Sequence, residues 1–151
     1  MRKLLLVAAI ALLAGCQTPY QEMDGSALGG VKAEAIGYDR YRISALVNAG
    51  TPSDLMVDYL QLKSAETALK HGSRYFIVEN VRDDTTAQRY VIPGAVNCWG
   101  GGCIVTPAST GQNVIPAAAA TIRLVRGVRP AGAVDAQEIV DTIGKRVKRV
   151  K

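Results

Sequence analysis

The chain opens on an apolar run that stops at a cysteine, and this junction decides how much of the sequence is available to fold. Met1-Arg2-Lys3 supplies a short positive start, and residues 4–14 follow as eleven apolar positions without a charge, the two-part layout of a secretory signal. As a helix that run rises only about 16 Å, roughly half of a bilayer's hydrocarbon thickness, so it does not serve as a permanent transmembrane anchor. It ends in Leu13-Ala14-Gly15-Cys16. Small Ala14 and Gly15 leave the neighbouring peptide bond open to a protease, and a thiol is readily turned into a thioether.

These four residues resemble the lipobox of bacterial lipoprotein precursors. The resemblance implies a signal peptide over residues 1–15, cleavage between Gly15 and Cys16, diacylglyceryl transfer to the Cys16 sulfur and acylation of the new amine by a palmitate-type chain. Two or three such chains hold a protein on a membrane stably, where one does not. Gln17, a residue other than Asp, implies by the same resemblance an outer-membrane protein facing the periplasm.

The chain has 151 residues, with 48% hydrophobic and 21% charged, room for one ordinary domain and too few charges for wholesale disorder. The formal charge is +5, and setting aside Arg2 and Lys3 leaves 16 basic residues against 13 acidic. The excess is local. Lys145, Arg146, Lys148, Arg149 and Lys151 all fall in the last seven positions, a candidate anion-binding tail for lipid headgroups, lipopolysaccharide phosphates or wall polymers. A helix C-terminus solvated by cations is the plainer reading. Export excludes nucleic acid as a partner.

With Cys16 assigned to lipid, Cys98 and Cys103 form an even pair in an oxidising compartment, where a disulfide is the default. They flank Trp99-Gly100-Gly101-Gly102, flexible enough to bring two sulfurs together. A thiol switch or stress sensor is the alternative, with Trp99 as an aromatic anchor, although thioredoxin-type chemistry uses two intervening residues and here there are four. His71 is the only histidine, so a metal site is poorly supported and no cofactor is expected.

Residues 16–32 read as a lipidated start and flexible tether, and residues 33–151 as a single α/β domain. Tyr41, Ile43, Ala45 and Val47 alternate as on a half-buried strand, with residues 33–38 as an approach strand. Thr51, Pro52 and Asp54 suggest a helix start with Thr51 as N-cap, and Gly72 supplies its left-handed end. Leu55, Tyr59, Leu62, Ala65 and Leu69 form its core stripe. A strand follows at residues 74–81, then a Gly/Pro-rich loop at about 83–118, a strand near 121–126 and a helix over 135–143 with acids first. The fold expected is α+β, a small antiparallel sheet packed against two helices.

Asp58 and Glu66 border the helix stripe and need partners, for which Arg40, Arg42 and Arg123 are candidates. As a catalytic pair they stand about 12 Å apart along the helix, too far for glycoside hydrolysis. Ser109 and Thr110 in the loop have no evident base, so a small periplasmic hydrolase is a weak alternative and no catalytic residue is assigned. The segments Tyr41-Arg42-Ile43-Ser44, Val57-Asp58-Tyr59-Leu60, Ala65-Glu66-Thr67-Ala68-Leu69, and Gly72 with Tyr75-Phe76-Ile77-Val78 resemble a family of small uncharacterised proteobacterial envelope lipoproteins over about residues 36–82. The resemblance implies a compartment and a fold, with no catalytic residue to carry over. The expectation is a non-catalytic lipid-anchored module, binding an envelope protein or cell-wall partner through its sheet, its loop or its tail.

Overall fold

A computed structural model describes residues 17–25, 29–99 and 102–150; residues 1–16, on which the expected signal peptide and lipidation site fall, and residues 26–28, 100–101 and 151 lie outside it. The elements run β1 (Gly30–Gly37), β2 (Arg40–Leu46), α1 (Ser53–Lys70), β3 (Tyr75–Asp83), β4 (Thr86–Ile92), β5 (Ala95–Trp99), β6 (Gly102–Thr106), β7 (Ser109–Ile115), β8 (Ala117–Val125), β9 (Val134–Asp135) and α2 (Ala136–Ile143). Five strands form one antiparallel sheet in the order β1-β2-β8-β3-β9, and the other four pair as β4 with β7 and β5 with β6. The expected α+β architecture, an antiparallel sheet with two helices, is what the chain adopts.

The sheet has two unlike faces because its strands alternate. Ile43 and Ala45 of β2, Phe76 of β3, and Ala118, Ile122 and Leu124 of β8 are buried against Tyr59, Leu62, Ala65 and Ala68 of α1 and Ile143 of α2. Arg42, Asn80, Arg82 and Thr121 line a shallow depression elsewhere on the sheet, the polar-out pattern of a sheet covered on one side. A register shift between Val78 and Asn80 marks a bulge in β3. Extra residues of this kind bend a strand and discourage pairing at an edge.

The helix begins and ends by different means. Its N-cap position is Pro52, with no side-chain cap, because the Thr51 hydroxyl is engaged elsewhere: it donates to Asn48 Oδ1 at 2.8 Å and accepts from the Thr18 backbone at 2.9 Å. The expected N-cap is therefore a fastener for the N-terminal segment. At the other end Gly72 stands at φ +71°, Ser73 N donates to Ala68 O and Gly72 N to Leu69 O, a Schellman motif that satisfies the last carbonyls. Buried Ser64 and Thr67 return their hydroxyls to Leu60 and Lys63 carbonyls, which lets polar residues sit inside without orphaned donors. In α2, Asp135 is a working N-cap, accepting from Gln137 N at 3.0 Å and Glu138 N at 3.4 Å.

Candidate functional site

Residues 17–25 correct the expectation of a flexible tether. Thr18 is 2% exposed and Tyr20 6%. Thr18 holds on at three points: its N–H donates to Thr51 Oγ1, its hydroxyl accepts from Asn48 N at 2.8 Å, and its carbonyl accepts from the Tyr59 hydroxyl at 2.6 Å. Tyr20 packs edge-on against Tyr59, ring centroids 5.4 Å apart, and donates to Glu66 Oε2 at 2.5 Å. Glu22 pairs with Lys63, and Met23 N and Val31 N exchange hydrogen bonds with Val31 O and Gln21 O. Gly29 and Gly30, at φ +79° and +149°, make the crossing possible: a Cβ would stand 2.3 Å from Leu46 O at the first and 2.7 Å from Gln21 O at the second. Alternation at Thr18 and Tyr20 was the available sequence signal, obscured by neighbouring Pro, Gln and Gly.

The basic C-terminus is folded onto the same segment. Tyr20 N donates to Lys148 O at 2.9 Å, Val150 N to Tyr20 O at 3.4 Å, and Val147 is buried. Arg146 reaches Asp58 at 3.2 Å and Arg149 reaches Glu66 at 2.6 Å, its guanidinium lying 5.2 Å from the Tyr20 ring centroid. The partners expected for Asp58 and Glu66 are thus replaced: Arg40 and Arg123 share Glu79 on the sheet instead, at 3.2 and 3.0 Å. Long sequence separation hid these pairs. Of the five tail cations, two serve the fold, while Lys145 and Lys148 stay exposed. Gln17, Pro19, Leu55, Arg146, Lys148 and Arg149 line a groove of about 340 Å³ where the chain enters from position 16.

Tyr20 has its pKa raised well above the usual phenol range, first by burial and then by the hydrogen bond and charge of Glu66. For Asp135, burial pushes upward, but the Arg74 hydrogen bond at 3.0 Å, the Glu138 and Gln137 N–H groups and the Arg74 charge outweigh it and hold the carboxyl below its ordinary value. Both groups fasten structure.

Residues 83–118 are a second correction, since the expected Gly/Pro-rich loop is a two-stranded ribbon. β4 pairs with β7 from Thr86↔Ile115 to Ile92↔Ser109, and β5 with β6 from Ala95↔Thr106 to Trp99↔Gly102. The register is continuous with β3 and β8, which pair as Asn80↔Thr121 through Asp83↔Ala118. One hairpin therefore starts in the core sheet and runs out of it as an arm. Pro93-Gly94 and Pro107-Ala108 interrupt the ladder at facing points, as proline lacks the N–H a ladder needs. Ser109 and Thr110 lie on β7 opposite Ile92 and Val91, and His71 rests against the Tyr41 ring, 4.8 Å between centroids. Cys98 and Cys103 occupy directly opposed positions in the β5–β6 register.

An apolar groove of about 370 Å³, which the sequence did not reveal, runs between the helices and the sheet, lined by Val57, Leu60, Phe76, Val78, Val81 and Ile139 among others. It stays open because β9 pairs with β3 only at Tyr75 and Phe76. Among the described residues no cluster of His, Cys, Asp or Glu is arranged to hold a metal, and no helix is long and apolar enough to cross a membrane. No protein-family model, curated protein or solved structure matches the chain.

Proposed function

We infer that the protein is a lipid-anchored, non-catalytic module of the bacterial envelope, held by acyl chains on Cys16 and acting through binding. One observation carries this reading furthest. Thr18, two residues after the acylated position, is buried and hydrogen-bonded to Asn48, Thr51 and Tyr59, so a lipid at Cys16 would hold one chosen end of the domain against the bilayer. Exposed Lys145 and Lys148 accompany that end, where headgroup phosphates would attract them. The lipobox residues and the likeness of residues 36–82 to envelope lipoproteins support the same compartment, with Gln17 favouring the outer membrane.

Mass spectrometry of the mature protein tests this reading. A diacylglyceryl-modified, amine-acylated chain starting at Cys16 is the expected product, and Cys16→Ser is expected to move the protein from the membrane fraction to the soluble one. An unmodified thiol at position 16, or an intact Met1, would overturn the assignment.

A thiol switch is the second reading, favoured by the opposed placement of Cys98 and Cys103. Cross-strand neighbours sit about 4.5 to 5.5 Å apart at Cα, within the range a disulfide spans. Titration of the two thiols in cells under reducing and oxidising conditions separates a switch from a fixed bond: a pair that never changes state is not a sensor.

A further inference from the structure

We propose that the ribbon of β4–β7 and β5–β6 is a bilayer-contacting arm that lies in the headgroup layer beside the lipid anchor, a placement that rests on the anchor reading of Cys16. Its position comes first. Val47 N donates to Pro116 O at 3.0 Å, and Asn48 N, the next residue, donates to the Thr18 hydroxyl. Gly29, Leu46, Val47 and Asn48 share a cavity with Asn113, Val114 and Ile115 at the arm's base. The arm therefore leaves the sheet at the end of the domain where the chain arrives from Cys16.

Its chemistry fits that location. From Tyr90 to Ile122 there are 33 residues without one Asp, Glu, Lys or Arg, in a chain that is 21% charged overall. A water-facing surface ordinarily mixes charges of both signs at about a quarter of its positions, so an exposed ribbon whose one charge is Arg89, opposite Gln112 near its base, is built for a medium other than bulk water. Val91 is 68% exposed, Val105 67%, Ile92 50% and Val114 41%. Tyr90 lies on β4 and Trp99 ends β5, and these are the residue types enriched at membrane interfaces.

The depth follows from hydrogen bonding. A two-stranded ribbon leaves the outer edges of both strands unpaired, and open edges are not tolerated in hydrocarbon, where no water can satisfy their N–H and C=O groups. The headgroup layer supplies both water and phosphate. At about 3.3 Å per residue the outgoing strand from Thr86 to Trp99 covers roughly 43 Å, enough to extend far across the membrane surface from the anchor.

Trp99 is the only tryptophan, and its register position opposite Gly102 is at the distal end of the arm, so the native chain carries its own probe. The lipidated full-length protein is reconstituted into phosphatidylethanolamine–phosphatidylglycerol vesicles, with and without brominated acyl chains. The expected result is loss of most of the tryptophan emission to the brominated lipid, with weak quenching by aqueous acrylamide. Val91→Glu together with Val105→Glu, both at exposed positions, should reverse the two sensitivities while the protein still floats with the vesicles. Emission indifferent to bromine and open to acrylamide would put the arm in water and overturn the proposal. Emission shielded from both would mean that protein, such as a second copy, covers the arm, and would overturn it too. Protein that does not float at all would overturn the anchor reading first, and the arm's placement with it.

Discussion

The base and the far end of the long hairpin are built by the same rule and meet opposite fates. In the base, β3 and β8 pair antiparallel, and Phe76, Ile122 and Leu124 disappear beneath α1 and α2. In the arm the pairing continues in the same register, yet Val91, Val105 and Val114 remain exposed because no helix crosses over them. Strand pairing is thus a local property, whereas burial depends on what the topology lays on top. An isolated two-stranded ribbon is marginal in water, so the base holds the domain together and the arm draws its order from the base or from whatever it contacts.

The strongest way to break this comparison is to remove volume at both ends. Ile122→Ala, at a fully buried position, is expected to cost about 3 kcal/mol of unfolding free energy, and Val105→Ala in the arm less than about 0.5 kcal/mol. Urea unfolding of the soluble Cys16→Ser form measures both. Equal losses would mean that the arm is packed as the base is.

The next test asks whether the N-terminal segment belongs to the base. Tyr20→Phe removes the hydroxyl that donates to Glu66, and a buried hydrogen bond to a charged acceptor is worth about 1.5 to 3 kcal/mol. A loss near 1.5 kcal/mol in the same unfolding measurement would place residues 17–25 inside the cooperative unit. No loss would return them to the status of a tether.

Titration sharpens the same point from two sides. The Asp135 carboxyl is held below its ordinary value in the folded chain, so its contribution is present above the unfolded carboxylate pKa and lost as pH falls through the folded one. Tyr20 is raised, so its contribution is full below the unfolded phenol pKa and shrinks as pH climbs beyond it. Unfolding midpoints measured across acid and alkaline series should show both declines. Asp135→Asn should flatten the acid limb and Tyr20→Phe the alkaline one.

The smallest expected effect concerns the C-terminal clasp. Arg146 and Asp58 form an exposed pair, and a double-mutant cycle with Arg146→Ala and Asp58→Ala should give a coupling of about 0.2 to 1 kcal/mol that fades in high salt. A larger coupling would show that the clasp is shielded from solvent.

How much could be read in advance depended on the range of the interaction. Alternation at Ile43, Ala45 and Val47 and the left-handed Gly72 are short-range signals, and the structure bears both out. Thr51 misled because its hydroxyl serves either as a cap or as an acceptor for a distant N–H, and the partner, Thr18, lies 33 residues away. The ribbon was hidden by its own composition: glycine, proline and small polar residues argue for a loop when read singly, and only the facing strand turns them into a ladder. Its scarcity of charge, Arg89 apart, was visible in the sequence but had no meaning until the segment proved extended and exposed.

By itself the sequence determined the α+β class, the main strand and helix positions and the Gly72 helix end, because these follow from periodicity and backbone preference within a few residues. Tertiary structure alone decided that the N-terminal segment is clamped between Thr51, Tyr59 and Glu66, that Arg146 and Arg149 answer Asp58 and Glu66, and that the second half of the long hairpin goes uncovered. Those contacts join residues tens of positions apart. Their energies depend on which surfaces the chain brings together, and no local pattern records that choice.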